Sequence, residues 1–139
     1  MFDKQDDELL ESPAFAKLAT LMPDGSPQNT VMWFRRDCDT LCMIAPASSR
    51  KVRNLDRDSR VAVVIDDPGN GYRYIDIRGH AEVRHDDAAA RDELRRIAAR
   101  YIDDRAGAYV ASLSADPRVL IVIRADAVRS HQGKRPDPI

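Results

Sequence analysis

Cysteine is scarce in this chain: Cys38 and Cys42 are the only two. They stand in Cys-Asp-Thr-Leu-Cys, which is neither the Cys-x-x-Cys spacing of a redox pair nor, without a nearby histidine, the start of a tetrahedral zinc site. No metal is expected. Cys38 reads as a turn residue and Cys42 as a small apolar strand residue in a reducing compartment. Long apolar runs are missing too, none approaching the roughly 20 residues of a membrane span. The N-terminus carries Asp3, Asp6, Asp7, Glu8 and Glu11 where a secretory signal needs a basic and then an apolar segment. The expectation is a cytoplasmic protein with no membrane contact. Charge of one sign is lacking as well: 22 Lys and Arg stand against 23 Asp and Glu, a net charge of −1. That removes the electrostatic footprint of a nucleic-acid binder. No Gly-x-Gly-x-x-Gly follows a strand-like run, so a Rossmann dinucleotide site has no support. Repeats and low-complexity tracts are also absent.

What remains is a chain of 139 residues with the size and the balance of apolar and charged residues of one globular domain. The spacing predicts a short helix over 3–10, ended by Ser12-Pro13 because the residue before proline is pushed out of the helical region. Phe15 to Leu21 and Gln28 to Arg35 are β-rich runs separated by Met22-Pro23-Asp24-Gly25-Ser26-Pro27, a hairpin signal. Arg36 to Asp39 turns into Thr40 to Ala45, which predicts a three-stranded meander. Ser48-Ser49 precedes Arg50 to Asp58, where Val52 and Leu55 form the apolar side of a short helix capped by serine. Val61 to Asp66 and Tyr72 to Val83 read as strands, the second alternating Ile75, Ile77, Gly79, Ala81 and Val83 with polar residues.

Asp86 or Asp87 caps a helix whose inner stripe is Ala90, Leu94, Ile97, Ala98 and Tyr101. A weaker helical stretch spans Gly107 to Leu113. Arg118 to Arg124 is apolar on both faces, as in a barrel or sandwich wall. The tail over 130–139 is expected to be loose. Six strands, a short helix after the third and a helical excursion before the last predict a mainly β protein, a six-stranded antiparallel barrel with a few short helices.

Local charge is less even than the total. Arg50, Lys51, Arg53, Arg57 and Arg60 face only Asp56 and Asp58 within one short stretch. Ser48, Ser49, Arg50 and Lys51 put hydroxyls, helix-start N–H groups and two cations in one turn, the donor set a phosphate wants. A capped surface helix with a solvated basic face is the alternative. Asn29, beside Thr30 in a good strand, is a residue that strands disfavour, which hints at a polar task. Trp33 reads as core or interface rather than ligand, and His80, beside Arg78 and Glu82, as a surface or interface histidine.

The order of these segments resembles the pyridoxamine-phosphate-oxidase-like split barrels, in particular the small deazaflavin (coenzyme F-420) dependent oxidoreductases. The residues that carry it are Phe15-Ala16-Lys17-Leu18-Ala19-Thr20-Leu21 with Asp24-Gly25-Ser26-Pro27, then Ser49-Arg50-Lys51 with Arg53-Asn54-Leu55. Arg60-Val61-Ala62-Val63 and Ile77-Arg78-Gly79-His80-Ala81-Glu82-Val83 complete it. The resemblance implies a homodimer with a cofactor groove at the subunit interface. Its ring would meet Asn29, Thr30 and Val31, its phosphate Ser48, Ser49, Arg50 and Lys51 beside Asn54, and Tyr72 would supply an aromatic neighbour. It also implies hydride transfer from a reduced deazaflavin to a small conjugated acceptor, with no dedicated catalytic side chain. FMN serving an oxidase or flavin reductase of the same fold is the alternative cofactor, with Arg53 or Arg57 favouring the anionic tail of a deazaflavin. A non-catalytic cofactor carrier is the alternative of another class. A heme relative would need an axial ligand in an apolar pocket, for which His80 is poorly placed.

Overall fold

Strand β1 (Ala16–Leu21) buries Ala16, Leu18 and Thr20 and leaves the residues between them half-exposed. It is the seed of one antiparallel sheet, pairing with β2 (Pro27–Met32) through the expected hairpin and with β5 (Arg60–Asp67) on its other side. At the hairpin Gly25 takes φ 86°, which a residue without Cβ adopts at little cost. The computed structural model describes residues 2–136.

The predicted meander does not form. The run expected as one strand from Gln28 to Arg35 breaks at Trp33-Phe34 into β2 and β3 (Arg35–Asp37), and β3 pairs with β4 (Thr40–Pro46) at the far edge of the sheet. The break has tertiary causes. Phe34 is fully buried, its N–H donates to the Tyr101 hydroxyl at 3.1 Å, and its carbonyl accepts from Arg100. Side chains from a distant helix thus take the backbone groups that a continuous strand would have offered to a neighbour. Among the described residues the sheet has seven strands rather than six, in the order β2-β1-β5-β6 (Asn70–Arg84)-β7 (Arg118–Gln132)-β4-β3.

The two edge strands, β2 and β3, are joined by only Trp33 and Phe34. Three Cα–Cα steps reach at most about 11 Å, so the sheet must curl until its edges nearly meet. That is a barrel closed by the chain rather than by hydrogen bonds. Because β3 covers only Thr40 to Cys42 of β4, the other half of β4 is unpaired on that side, and the barrel is split there.

The long strand β6 (Asn70–Arg84) pairs with β7 (Arg118–Gln132) from Arg73↔Gln132 to Arg84↔Leu120. β7 therefore continues well past the expected Arg124. Ser130, His131 and Gln132 of the tail predicted to be loose belong to the sheet, while 137–139 lie outside the described residues. Asp126 is the extra residue of a bulge opposite Arg78 and Gly79. A Cβ on Gly79 would fall onto the Arg124 carbonyl, which is why glycine stands there.

The interior holds Leu18, Phe34, Leu41, Met43, Val63, Ile65, Ile75, Ile77, Ile121 and Ile123. Outside it, helix α3 (Asp87–Ile102) lays Ala90, Leu94 and Ile97 on Cys42, Leu120 and Val122. This accounts for the doubly apolar run in β7, one face in the barrel and the other under α3. Asp86 caps α3 by accepting from the Ala89 N–H at 3.1 Å, and α4 (Ala106–Ala111) follows after a 3-10 turn. At one barrel end α1 (Asp7–Glu11) buries Leu9 and Leu10, preceded by a 3-10 turn over Lys4–Asp6, so the helix expected over 3–10 is two pieces. At the other end sits α2 (Arg50–Arg57), burying Val52, Asn54 and Leu55. Among the described residues no helix is long and apolar enough to cross a membrane.

Candidate cofactor site at the split

β2 is an edge strand, so alternate residues turn N–H and C=O away from β1 toward the split. Its side chains divide by register. Asn29 and Val31 stand opposite Ala19 and Lys17 on the outer face, and Val31 is 64% exposed. Thr30 stands opposite the buried Leu18, and its hydroxyl is buried without a hydrogen-bond partner. The structure does bring Asn29, Thr30 and Val31 together: they line one side of a groove of about 330 Å³ closed by Lys17, Ala19 and Ala62 to Val64. Lys17 is tied there to Asp66.

The second cluster comes from the β4–α2 junction. Ser49 has the backbone conformation of an N-cap, and its carbonyl accepts from Arg53 N–H at 3.2 Å. Its hydroxyl does not cap the helix, contrary to the sequence expectation. Instead Ser49 Oγ is buried and unpartnered, and the first-turn N–H groups of α2 keep their donors free of a side-chain cap. Ser48 is exposed at the same turn. Arg50 and Lys51 are half-buried, and neither they nor Arg53 forms an ion pair among the described residues. Burial pushes the Lys51 ammonium below its ordinary value of 10.5, because a cation leaves water without gaining a counter-ion. The rest of the basic run is committed elsewhere. Arg57 donates to the Leu21 carbonyl, and Arg60 pairs with Asp58 at 2.8 Å, holding that half-buried carboxyl down to about 2. Of the two cations expected to meet an anionic tail, the Arg53 side chain has no partner among the described residues, while Arg57 spends one guanidinium nitrogen on a carbonyl.

Asn54 joins the two clusters. It is fully buried, and its Nδ2 donates to Thr20 Oγ1 at 3.0 Å and lies 3.4 Å from Gln28 Oε1, pinning α2 to β1 and β2. Its Oδ1 has no partner. The unpartnered buried side-chain atoms among the described residues are thus Thr30 Oγ1, Ser49 Oγ and Asn54 Oδ1, and all three belong to residues singled out from sequence. An unmet buried polar group costs about 1–3 kcal/mol, a cost that a bound ligand would relieve. A serine hydroxyl, first-turn N–H groups and an unpaired ammonium suit a phosphate. A threonine hydroxyl beside the free edge of a strand suits the polar rim of a flat ring. The donor set therefore fits a phosphorylated ring cofactor.

Tyr72 stands apart. It is 54% exposed near the start of β6, whereas α2 meets the other end of that strand, where Ala81 N–H bonds the Ser59 carbonyl. Nine residue steps along the strand separate Tyr72 from Ala81, roughly 30 Å of chain. Within one subunit Tyr72 does not join Ser49 to Lys51 around a single ligand. Gln28 was passed over by the sequence reading although it lies two residues before Thr30 on the same strand face, a signal that period-2 spacing carried. His80 has a partner that no local signal carried: its Nδ1 lies 2.5 Å from Asp126 Oδ2, brought there by the bulge in β7.

The sequence profile of the family described as pyridoxamine 5′-phosphate oxidase matches residues 2–132. Among solved structures, an F420 reductase is 30% identical, with a TM-score of 0.70 over 92% of this chain and 98% of its own. A conserved hypothetical protein from Mycobacterium tuberculosis is 28% identical, with a TM-score of 0.76 over 94% of this chain and 84% of its own. General stress protein 26 of Bacillus anthracis, 18% identical, has a TM-score of 0.70 over 94% of both chains and shares the fold. No curated protein matches the chain. Its sheet forms a split barrel and the family profile runs from α1 through β7, so the chain belongs to the pyridoxamine 5′-phosphate oxidase family.

Proposed function

We propose that this protein is an oxidoreductase that holds coenzyme F-420, a deazaflavin, along the free edge of β2 and passes hydride to a small conjugated acceptor. The observation that carries the reading is that the three unmet buried polar atoms, on Thr30, Ser49 and Asn54, fall on β2 and on α2 with its N-cap, which Asn54 ties together, alongside the unpaired, partly desolvated Lys51. Ser49, Arg50 and Lys51 hold the phosphate, with Ser48 at the same turn. Thr30 and the β2 backbone orient the ring, and Asn29 and Val31 supply its outer contacts. Asn54 keeps α2 against β2 so that the phosphate and ring subsites stay in register. When bound, a reduced deazaflavin supplies a hydride, and an acceptor that takes it up with one proton from solvent is reduced by two electrons. The chain's share is binding, orientation and exclusion of water from the groove.

The uncommitted Arg53 and the likeness to an F420 reductase favour the deazaflavin over FMN, which the same phosphate contacts would accept. In this reading the protein works as a cytoplasmic homodimer whose partner subunit covers the groove and brings Tyr72 to it, since Tyr72 is out of reach within one subunit. Titration with F-420 and with FMN, each repeated on Lys51→Ala, tests the assignment. The expected result is tighter binding of F-420 and a loss of about 1–3 kcal/mol in the variant, the range for a charge-assisted contact. Equal, weak binding of both cofactors would refute it. Tight binding with no turnover of any enone or quinone would leave a carrier instead of an enzyme.

A further inference from the structure

The split contains a space that the cofactor reading does not use. Across it from Val31, Met32 and Trp33 lie Ile44, Ala45 and Pro46 of the unpaired half of β4, and between them is a cavity of about 350 Å³. α3 forms its floor, and Tyr109 and Leu113, on α4 and just after it, close its mouth. Val31 lines both this cavity and the groove holding Asn29 and Thr30, so the two spaces share one wall.

The aromatic groups around it divide by task. Tyr101 is structural: its ring stacks on Trp33 at 4.9 Å and 5° and on Phe15 at 5.7 Å, and its hydroxyl donates to the Ala14 carbonyl at 2.8 Å. Tyr109 does no such work. It is 38% exposed, its hydroxyl bonds no described residue, and its one ring contact is a tilted approach to Trp33 at 5.5 Å. The lining residues include Arg118 and no carboxylate, although the Asp87 carboxylate accepts from the Arg118 backbone N–H at 2.8 Å. Arg118 uses one guanidinium nitrogen on the Asp116 carbonyl at 2.6 Å and keeps further N–H groups, and the Tyr109 hydroxyl is a second donor in the lining. An apolar aromatic slot with hydrogen-bond donors at its mouth, at the small end of the roughly 300–1,000 Å³ of small-molecule sites, selects a flat apolar compound with acceptor oxygens.

From this geometry we infer that the Trp33–Tyr109 cavity is the acceptor site. It takes a planar conjugated carbonyl compound of one or two fused rings, packed against the Trp33 and Tyr109 rings with its oxygen toward Arg118. The inference rests on the proposed hydride transfer for its purpose, because the shared Val31 wall sets such a compound beside the cofactor groove. Its detection does not depend on that reading.

Trp33 is the only tryptophan in the chain, so its fluorescence reports on this cavity and the groove next to it with no cofactor present, and the variants below separate the two. Titration of the full chain with 2,3-dimethyl-1,4-naphthoquinone, which is blocked against thiol addition, is expected to give saturable quenching. Cyclohexane-1,4-dione, which has the oxygens without the plane, should give none. Tyr109→Ala and Leu113→Ala should each weaken quinone binding at least tenfold and leave F-420 affinity unchanged. In steady state the same variants should raise acceptor KM and keep kcat. Absent saturation, equal response to the saturated dione, or wild-type quinone affinity in both variants would overturn the assignment. Saturable, Tyr109-dependent quenching in a protein that binds neither F-420 nor FMN would support the cavity and refute the hydride reading. Cofactor binding without any quinone response would do the reverse.

Discussion

Lys51 gives up hydration on folding and receives no counter-charge in return. Its folded pKa lies below 10.5, so the unfolded chain binds the proton more tightly, and stability rises with pH across the interval just under that value. Below the folded pKa the full penalty is present. Lys51→Met should remove this pH dependence and make the cofactor-free protein more stable at neutral pH, while abolishing most of the thermal shift that F-420 produces. Paired thermal melts of both forms between pH 7 and the onset of alkaline unfolding check this, and identical pH slopes would contradict it. Gly79 makes the opposite kind of prediction, one of sterics. A methyl group there meets the Arg124 backbone rather than a flexible side chain, so Gly79→Ala should cost about 2–3 kcal/mol in denaturant unfolding, at the upper end for overpacking.

Helix α3 holds the barrel shut at the level of elements. Its Arg100 donates to the carbonyls of Phe34, Leu10 and Ser12, and Tyr101 bridges Phe34 N–H and the Ala14 carbonyl. One helical turn thereby gathers the segment before β1 and the β2–β3 break. Desolvation pushes the Tyr101 hydroxyl above its ordinary value of 10.0, so it stays a donor at neutral pH. Tyr101→Phe keeps the ring stack and deletes the bridge, leaving the Phe34 N–H unmet. The expected loss is about 1–3 kcal/mol, seen as a fall of several degrees in Tm. An unchanged Tm would mean that the stack alone holds the break in place.

As a whole molecule the sheet is covered unequally. α3 and α4 lie over the outer face of β4 and β7, whereas the outer face of β1, β2 and β5 presents Ala19, Val31, Ala62 and Val64 without a helix. Its charges are already neutralised in pairs, Lys17 with Asp66 and Arg60 with Asp58. An apolar field with paired charges at its margin suits a second copy of the same surface. Val31→Glu places a charge at a position 64% exposed in the single chain, so monomer stability should move by no more than about 0.5 kcal/mol. Light scattering should then report a dimer for the wild type and a monomer for the variant, with weakened F-420 binding. A monomeric wild type at micromolar concentration would remove the interface from the functional reading.

Local chemistry was legible in the sequence where one period or one turn carried it. The β1–β2 hairpin followed from Pro23-Asp24-Gly25, the α3 stripe from Ala90, Leu94 and Ile97, and the α2 start from Ser48 to Lys51. Asn29 stood out because a strand disfavours it, whereas Thr30, unremarkable in a strand, was marked only by the resemblance. The sequence could not show that the run after Gln28 breaks at Phe34, because the groups that break it, Arg100 and Tyr101, are 66 and 67 residues away. Nor could it separate Tyr72 from the phosphate turn, since strand length and direction across the sheet set that distance. Which cations remain available was likewise a tertiary decision. Arg57 and Lys51 look alike in the chain, and only folding gives one a carbonyl and leaves the other without a partner. Periodicity and turn chemistry are properties of neighbouring residues, whereas closure of the barrel and the unmet polar atoms at its split depend on contacts that exist only once distant segments have met.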